Sequence, residues 1–327
     1  MDVEEEKLLT ISIIATNEKE ILRKCLNHVR ENISNNIDCE VYVVDNASSD
    51  GTSDMLKNEY NYVKVITNEK RKSYCENNNN IIRRSSGDHV LIMNADVFIT
   101  KGFIEELLGA IGAGKDIGCV MGKLLLRDGN ESDKVIDSTG LVIYRSRRTT
   151  DRGQGEEDKG QYDAPGEIFS ASGAAMLCSR EMLEDVKLFD EYFDESFYAH
   201  KEELDLCWRA RLRGWKIIYD PKAIAYHLRG WGSGIARRKI PRFIRRHSYK
   251  NRYLMMIKDD HLINILKSAH IILWHELKAL IYVIFREPHM ILAWLQIILL
   301  LPLTVRKRRE IMKKAIVRPG QIIGWFV

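Results

Sequence analysis

Short β-type apolar runs alternate with helix-period segments along this chain, which predicts an α/β fold whose mainly parallel central sheet is flanked by helices. Two further observations narrow that class. The runs Glu40–Val44 and His89–Met93 each stop on a polar cluster, Asp45-Asn46-Ala47-Ser48-Ser49-Asp50-Gly51-Thr52 and Asn94-Ala95-Asp96. In an open α/β sheet, ligands sit beyond the carboxyl ends of the strands, where both clusters fall. Beyond Arg252 the pattern changes to apolar helical segments beside a basic stretch.

The first unit is a strand from Leu8 to Ala15, a polar turn at Thr16-Asn17-Glu18, and a helix with apolar positions Ile21, Leu22, Cys25, Leu26 and Val29 at helical spacing. The strand ending at Val44 follows, then a helix from about Thr52 to Glu59 and a strand over Val63–Ile66. A helix near Ser73–Ser85 leads to the strand ending at Met93, then a helix over Gly102–Ile111 and a strand over Val120–Leu126. From Arg127 to Ile168 the pattern breaks into a charged, glycine-containing stretch, long enough to be a binding loop or disorder. Regular structure resumes at Phe169–Met176, with helices near Arg180–Val186 and through Trp208–Leu212, and a strand over Lys216–Tyr219 ahead of His227.

The 327 residues suffice for one large α/β domain with an appendage, at a formal charge of +4 that excludes little. Charge is unevenly distributed: from Arg229 to Lys258 there are ten Lys or Arg and no Asp or Glu. Without a nucleic-acid motif beside it, that block suits anionic lipid or diphosphate better than nucleic acid. The six cysteines form no C-x-x-C pair, which argues against zinc and a disulfide framework and for reduced thiols in the cytoplasm. An acidic start, Met1 to Glu6, runs into the first strand and is unlike a signal peptide.

The late apolar segments, Ile271–Trp274, Leu280–Phe285 and Ile291–Leu301, are broken at Arg286-Glu287-Pro288-His289 and again at Pro302. Each falls short of the ~20 residues that cross a bilayer, so the expectation is helices lying in the membrane interface, with a buried core or a homo-oligomer face as the competing reading.

Chemically, the Asp45–Thr52 cluster can hydrogen-bond a base and ribose, while Asp96 offers a carboxylate to a divalent cation on a diphosphate. Together they read as a nucleotide-sugar site, although each alone is also ordinary turn and cap chemistry. Gly109–Asp116 almost spells a phosphate-binding loop but trails a helix and lacks Ser or Thr after Lys115, so it reads as a helix terminus.

The ordered set Ser12–Asn17, Val43–Thr52, Leu91–Asp96, Ser172–Ala175, Phe189–Glu191, Lys201–Arg209 and Tyr226-His227 resembles family 2 glycosyltransferases with the GT-A fold, most closely bacterial and archaeal rhamnosyltransferase-like members. The likeness runs from about Leu9 to Ser233. It implies a GT-A domain over residues 1–233 and a basic, apolar helical tail over 234–327, on the cytoplasmic face of the cell membrane as a peripheral or monotopic protein. By resemblance, Thr16, Asn17, Glu18 and Asp45 line the donor nucleotide, with Asp45 facing the base, and Asn78 and Asn94 join them. Asp96 holds Mg²⁺ or Mn²⁺ on the diphosphate, Asn94 standing where most members carry another Asp, and His227 matches a position that supplies an imidazole to the metal. Arg229–Gly234 reads as a flap.

The catalytic base is expected from Glu202-Glu203, with Glu203 preferred. Asp205 and Arg209, four apart on a helix, are read as a surface pair. Ser73 and Arg71 depart from the family's glycine and asparagine. The implied reaction is inverting transfer of a sugar such as rhamnose from a dTDP- or UDP-linked donor to a lipid-linked or polysaccharide hydroxyl. A non-catalytic nucleotide-sugar-binding subunit is the alternative.

Overall fold

The computed structural model describes residues 8–34, 36–126, 134–229 and 240–327. Of the flap stretch, residues 230–234 lie outside them, as do the acidic residues 1–7. The first half builds β1 (Leu9–Ala15), α1 (Lys19–Asn32), β2 (Cys39–Asp45), α2 (Thr52–Glu59), β3 (Val63–Thr67), α3 (Tyr74–Arg84), β4 (His89–Asn94), β5 (Val97–Ile99), α4 (Phe103–Gly112) and β6 (Ile117–Leu126). The expected irregular stretch contains short strands: β7 (Ile136–Ser138), the hairpin β8 (Leu141–Ile143) and β9 (Thr149–Asp151), and β10 (Gly166–Glu167). Next come β11 (Ala175–Ser179), α5 (Arg180–Val186), α6 (Glu202–Leu212) and β12 (Lys216–His227). The tail forms α7 (Arg242–Asp259), α8 (Leu262–Lys267), α9 (Ala269–Arg286), α10 (Ile291–Lys314) and α11 (Pro319–Ile323).

The sheet order is β10-β12-β6-β11-β4-β1-β2-β3. β1 pairs in parallel with both β2 and β4, β2 with β3, and β6 with β12. β11 runs antiparallel between β4 and β6, making a mainly parallel sheet mixed. β1 is buried along nearly its whole length, which its near-continuous apolar run anticipates for a strand covered on both faces. α1 buries Leu22, Cys25, Leu26 and Val29, four of the five positions expected from the periodicity. Gly122 is where β6 meets an irregularity in β12, and a β-carbon there would lie 2.1 Å from the Ala223 carbonyl oxygen. Parallel alignment brings the ends of β1, β2 and β4, and the loops after them, to one edge.

The tail is not a separate core. Phe326 packs edge-on against Trp208 and Phe169, with ring centroids 5.4 and 5.9 Å away, and the Val327 amide bonds the Ile143 carbonyl at 3.0 Å. Under α6, the ammonium of Lys258 on α7 meets Asp194 and Asp205, and Lys307 on α10 bonds Glu191 and Asp194, each at 2.7 Å. The Asp205–Arg209 pair, expected at the surface, is buried here, 0% and 2% exposed and 2.9 Å apart. The spacing was sufficient to place the pair on one helix face, but α7 covers that face.

Pro302 does not end its helix. α10 runs through it, and Pro288–Lys314 is long and apolar enough to cross a membrane by length and composition. Lys307 ties its second half into the body. Most exposed large apolar residues of α9, Leu273, Trp274, Leu277, Leu280, Ile281, Ile284 and Phe285, recur at helical spacing, as do Ile291, Leu292, Leu295, Ile298 and Leu299 on α10; Tyr282, Leu301 and Leu303 are exposed outside these stripes. Phe285 and Leu299 are 77% and 79% exposed.

Lys258→Met removes the cation shared by Asp194 and Asp205 and leaves both carboxylates buried beside less positive charge. Unfolding in urea should show a loss of about 3–5 kcal/mol. An unchanged midpoint and slope would mean the pair contributes nothing net.

Candidate functional site

The edge formed by the ends of β1, β2 and β4 is built from loops that hydrogen-bond one another. Asn17, at φ 55°, receives the Ser49 amide on its side-chain oxygen at 2.7 Å and donates its own amide to Ser48 Oγ at 3.0 Å. The Lys19 amide donates to Asp50 at 2.9 Å. Asn46 receives the Lys72 amide at 2.9 Å and the Asn68 side chain at 3.0 Å, and Asn68 also donates to Asn77 at 2.8 Å. The β1, β2 and β3 loops are thus one hydrogen-bonded rim. Ser73, where the sequence departs from glycine, is the N-cap of α3: its hydroxyl receives the Glu76 amide at 3.0 Å and its own amide donates to Glu76 at 2.9 Å.

Two residues expected on the donor side are buried and hydrogen-bonded within the fold. Asp45 is 1% exposed, with one oxygen receiving the Ser48 amide at 3.0 Å and the other the Ser53 hydroxyl. Its carboxylate builds the loop that follows β2. Asn78 is 0% exposed, its oxygen taken by Ser12 at 2.8 Å and its nitrogen donating to the Tyr74 carbonyl at 3.2 Å, so it fastens α3 to β1. Both residue types suit ligand binding, but burial commits their polar atoms to the scaffold. Thr16 and Glu18 are at the rim: the Thr16 amide donates to Glu18 at 3.3 Å. Burial, with Asp96 and Asp50 adding to it, raises the Glu18 carboxyl despite that bond. Asn94 is half-buried at the end of β4, its amide bonded to the Ala174 carbonyl at 2.9 Å.

Asp96 and His227 converge, as their register requires: β5 starts one residue after Asp96 and pairs Val97 with His227. His227 Nε2 lies 3.2 Å from Asp96, and Nδ1 lies 2.7 Å from Asp137. Arg229 bridges Asp137 at 2.6 Å to Asp151 at 2.8 Å. Burial alone would lower the imidazole, but the carboxylates of Asp137 and Asp96 outweigh it and push His227 up to about 9. The pair fits a divalent cation by its donor set: a carboxylate and an imidazole nitrogen point at each other while a buried carboxylate orients the far side of the ring.

Glu203, at the start of α6, lies flat over Gly173, where a β-carbon would sit 3.4 Å from its own Cβ and 3.7 Å from its carboxyl carbon. Gly173 precedes Ala174, whose carbonyl accepts the Asn94 amide, so the backbone beside Glu203 is hydrogen-bonded to the end of β4. Burial raises the Glu203 carboxyl, although backbone hydrogen bonding and Lys201 pull it back. Lys201 donates to Thr149 on β9 at 2.5 Å. Burial lowers its ammonium, opposed chiefly by the charge of Glu203. Tyr198, His200 and Lys201 all have φ near +70°, a conformation that costs on the order of 1–3 kcal/mol for each non-glycine residue.

Asp137, Asp151, Thr149, Lys201 and Arg229 were not among the residues expected at the site. The first three lie in the stretch whose charge and length marked it as a candidate binding loop, but nothing in its spacing singled them out.

Residues 10–187 match the family model described as glycosyl transferase family 2. The chain belongs to glycosyl transferase family 2. Among its relatives is a poly-beta-1,6-N-acetyl-D-glucosamine synthase of Staphylococcus aureus, 21% identical over 238 residues, covering 70% of this chain and 52% of the relative. The chain thus spans about half the length of that curated relative. Two solved structures show the GT-A fold in this family member. One is GalNAc-T7 with UDP, GalNAc and Mn²⁺ (TM-score 0.59, 15% identity, 77% of this chain and 48% of that one). The other is a mannosyltransferase of Pyrobaculum calidifontis with GDP-Man and Mn²⁺ (TM-score 0.53, 13% identity, 98% and 85%).

In metal-free protein, a His227 pKa raised from 6.5 to about 9 contributes stability that is fully present below pH 6.5 and lost as pH rises through 9. The shift bounds this contribution at about 3 kcal/mol. In chelator, the Tm gap between the native protein and His227→Gln should therefore shrink between pH 6 and 10. A gap constant across that range would show that the imidazole is not charged in the fold.

Proposed function

We propose that this family 2 member is an inverting glycosyltransferase that moves a sugar from a nucleoside-diphosphate donor to a hydroxyl of a lipid-linked or polysaccharide acceptor, with Glu203 as general base. The observation that carries this reading is the placement of Glu203 across Gly173 from the Asn94–Asp96 turn. On this reading Glu203, its carboxyl raised by burial, would serve the acceptor side of the turn that would take the donor's diphosphate. Asp96 and His227 would hold Mg²⁺ or Mn²⁺, which when bound neutralises charge on the departing diphosphate. Asp137, shared by His227 and Arg229, fixes the imidazole that faces Asp96. Thr16, Asn17, Glu18 and Asn94 form the rim on the nucleotide side, shaped from beneath by Asp45 and Asn78. A UDP- or dTDP-sugar is the donor favoured here, with rhamnose one candidate sugar.

The acceptor hydroxyl approaches from the Glu203 side. Its oxygen forms the new bond to the anomeric carbon, its proton passes to Glu203, and the bond to the diphosphate oxygen breaks, releasing the nucleoside diphosphate. A single displacement inverts the anomeric centre. A carboxyl raised toward neutrality is better matched to accept a proton near pH 7 than an ordinary glutamate.

The lipid-linked part of this reading, and a place on the cytoplasmic face of the membrane, rest on the apolar stripes of α9 and α10. Their exposed residues share helical faces, as an interfacial helix requires. Lys307 and Phe326 hold the tail in the body, which supports surface attachment over extraction of α10 into the bilayer.

Purified protein with Mn²⁺ or Mg²⁺ is expected to transfer sugar from, or hydrolyse, at least one of the UDP-, dTDP- and GDP-sugars. Glu203→Gln should lower turnover by on the order of 10²–10⁴-fold while UDP with Mn²⁺ still raises Tm. Ligand binding without turnover in the unaltered protein would select a non-catalytic subunit instead.

For the membrane, Leu273→Glu with Phe285→Glu and Leu299→Glu should abolish flotation with anionic liposomes while leaving Tm within a few degrees. Flotation equal to that of the unaltered protein would defeat the attachment.

A further inference from the structure

The turn that delivers Glu203 is held from outside the α/β layer. Tyr198, His200 and Lys201 adopt left-handed backbone within four positions of one another, and the next two residues are Glu202 and Glu203. Such a run persists only where its surroundings fix it. Lys201 bonds Thr149 and the Cys75 amide reaches the Tyr198 carbonyl, but most of that surrounding is one face of α7. The Asn251 side-chain nitrogen lies 3.0 Å from the Phe197 carbonyl oxygen, 2.9 Å from that of Ala199 and 2.6 Å from that of His200. An amide nitrogen has two hydrogens, so it shares them among three acceptors. One turn earlier, His247 Nδ1 lies 3.3 Å from the Phe197 carbonyl, and Lys250 bonds the Ser196 carbonyl. Lys258, further along the same face, reaches Asp205 on α6 itself. Asn251 is fully buried.

We propose that Asn251 is a positioning residue for the acceptor-side base: by donating to the carbonyls of Phe197, Ala199 and His200 it holds the left-handed turn that sets Glu203 over Gly173. This rests on the reading of Glu203 as the base. Among the described residues the hydrogen bonds of Asn251 go to Phe197, Ala199 and His200 and to none of the donor-rim residues or the Asp96–His227 pair, so its loss should act on the transfer step and spare the donor. The α7 helix then has two tasks: fixing the base loop on one face and joining the body to the helices with apolar stripes.

The test is Asn251→Asp in the full chain, which keeps the side-chain shape and replaces the donor with an oxygen facing three oxygens. A displacement near 1 Å at a reacting group costs on the order of 10²-fold, so kcat should fall about 10- to 100-fold. Donor KM, and the Tm rise produced by UDP with Mn²⁺, should stay within about twofold of the unaltered protein's values, as expected when only transition-state positioning is lost. Asn251→Ser, which retains one hydroxyl donor, should recover part of kcat, and it is read in the same way if Asn251→Asp does not fold. A folded variant with unaltered kcat overturns the proposal. So does a parallel loss of kcat and donor binding, which would indicate general damage. Glu203→Gln, run alongside, separates the two readings: if it keeps full turnover, the base assignment fails whatever Asn251 does.

Discussion

Lys258 is fully buried between Asp194 and Asp205, and much of the site's geometry depends on this arrangement. A buried ammonium is costly unless carboxylates surround it, and the carboxylates are costly without it. Asp194 is held well below the usual carboxylate range despite its burial, because Lys258 and Lys307 both face it. Asp205 is depressed against its burial by Lys258 and Arg209. These charges come from the segment before α6, from α6, from α7 and from α10. Arg209 pairs with Asp205 within α6, but the two buried lysines find their carboxylates only when the four segments are together. The helix that carries Glu203 is therefore fastened at its first turn to the tail, not only to the sheet behind it.

The two ends of the site use different physics. After β1, β2 and β3, amides and hydroxyls join the loops, Asn17 to Ser49, Asn46 to Lys72 and Asn68, and the carboxylates of Asp45 and Asp50 accept backbone amides among them. Around β5 and the end of β12 the binding is ionic: Asp96, His227, Asp137, Arg229 and Asp151 form an alternating chain. Without a cation, the proton on His227 is what keeps Asp96 and Asp137 compatible across one ring. A metal between Asp96 and His227 would take over that role, with Asp137 already placed to hold the imidazole.

The parallel half of the fold was legible because its signals are local. Periodicity placed α1, the alternation of strand and helix patterns placed α3 near its observed span, and the polar stops marked the ends of β2 and β4. What was not legible depended on burial and on distant pairing. Asp45 and Asn78 match a donor-binding pattern by residue type, yet packing turned their polar atoms inward. Asp205 and Arg209 were at the right spacing, but a surface pair and a buried one share that spacing, and only α7 decides between them. Asp137 and Asp151 lie in a stretch with no period to read, and they reach the site through pairings with β6 and within a hairpin. Pro302 was read as a break because a proline removes a helical hydrogen bond, but one lost bond did not outweigh the packing of the rest of α10.

The tail joins these observations. A helix buried all round would need apolar residues on every face, whereas α9 and α10 carry theirs in stripes that the body leaves uncovered. Their other contacts are specific: Lys307 enters the ion cluster, and the chain beyond α10 ends against Trp208 and Ile143. A stripe placed on a membrane would thus be connected to α6 through buried charges and aromatic packing, with no flexible linker between α10 and the ion cluster. For an enzyme whose acceptor is carried by lipid, that rigidity has a use: the surface orienting the molecule would be in fixed relation to the carboxylate that must meet the acceptor hydroxyl. Misalignment of reacting groups is expensive, so a fixed relation favours transfer to an acceptor presented at that surface over transfer to water.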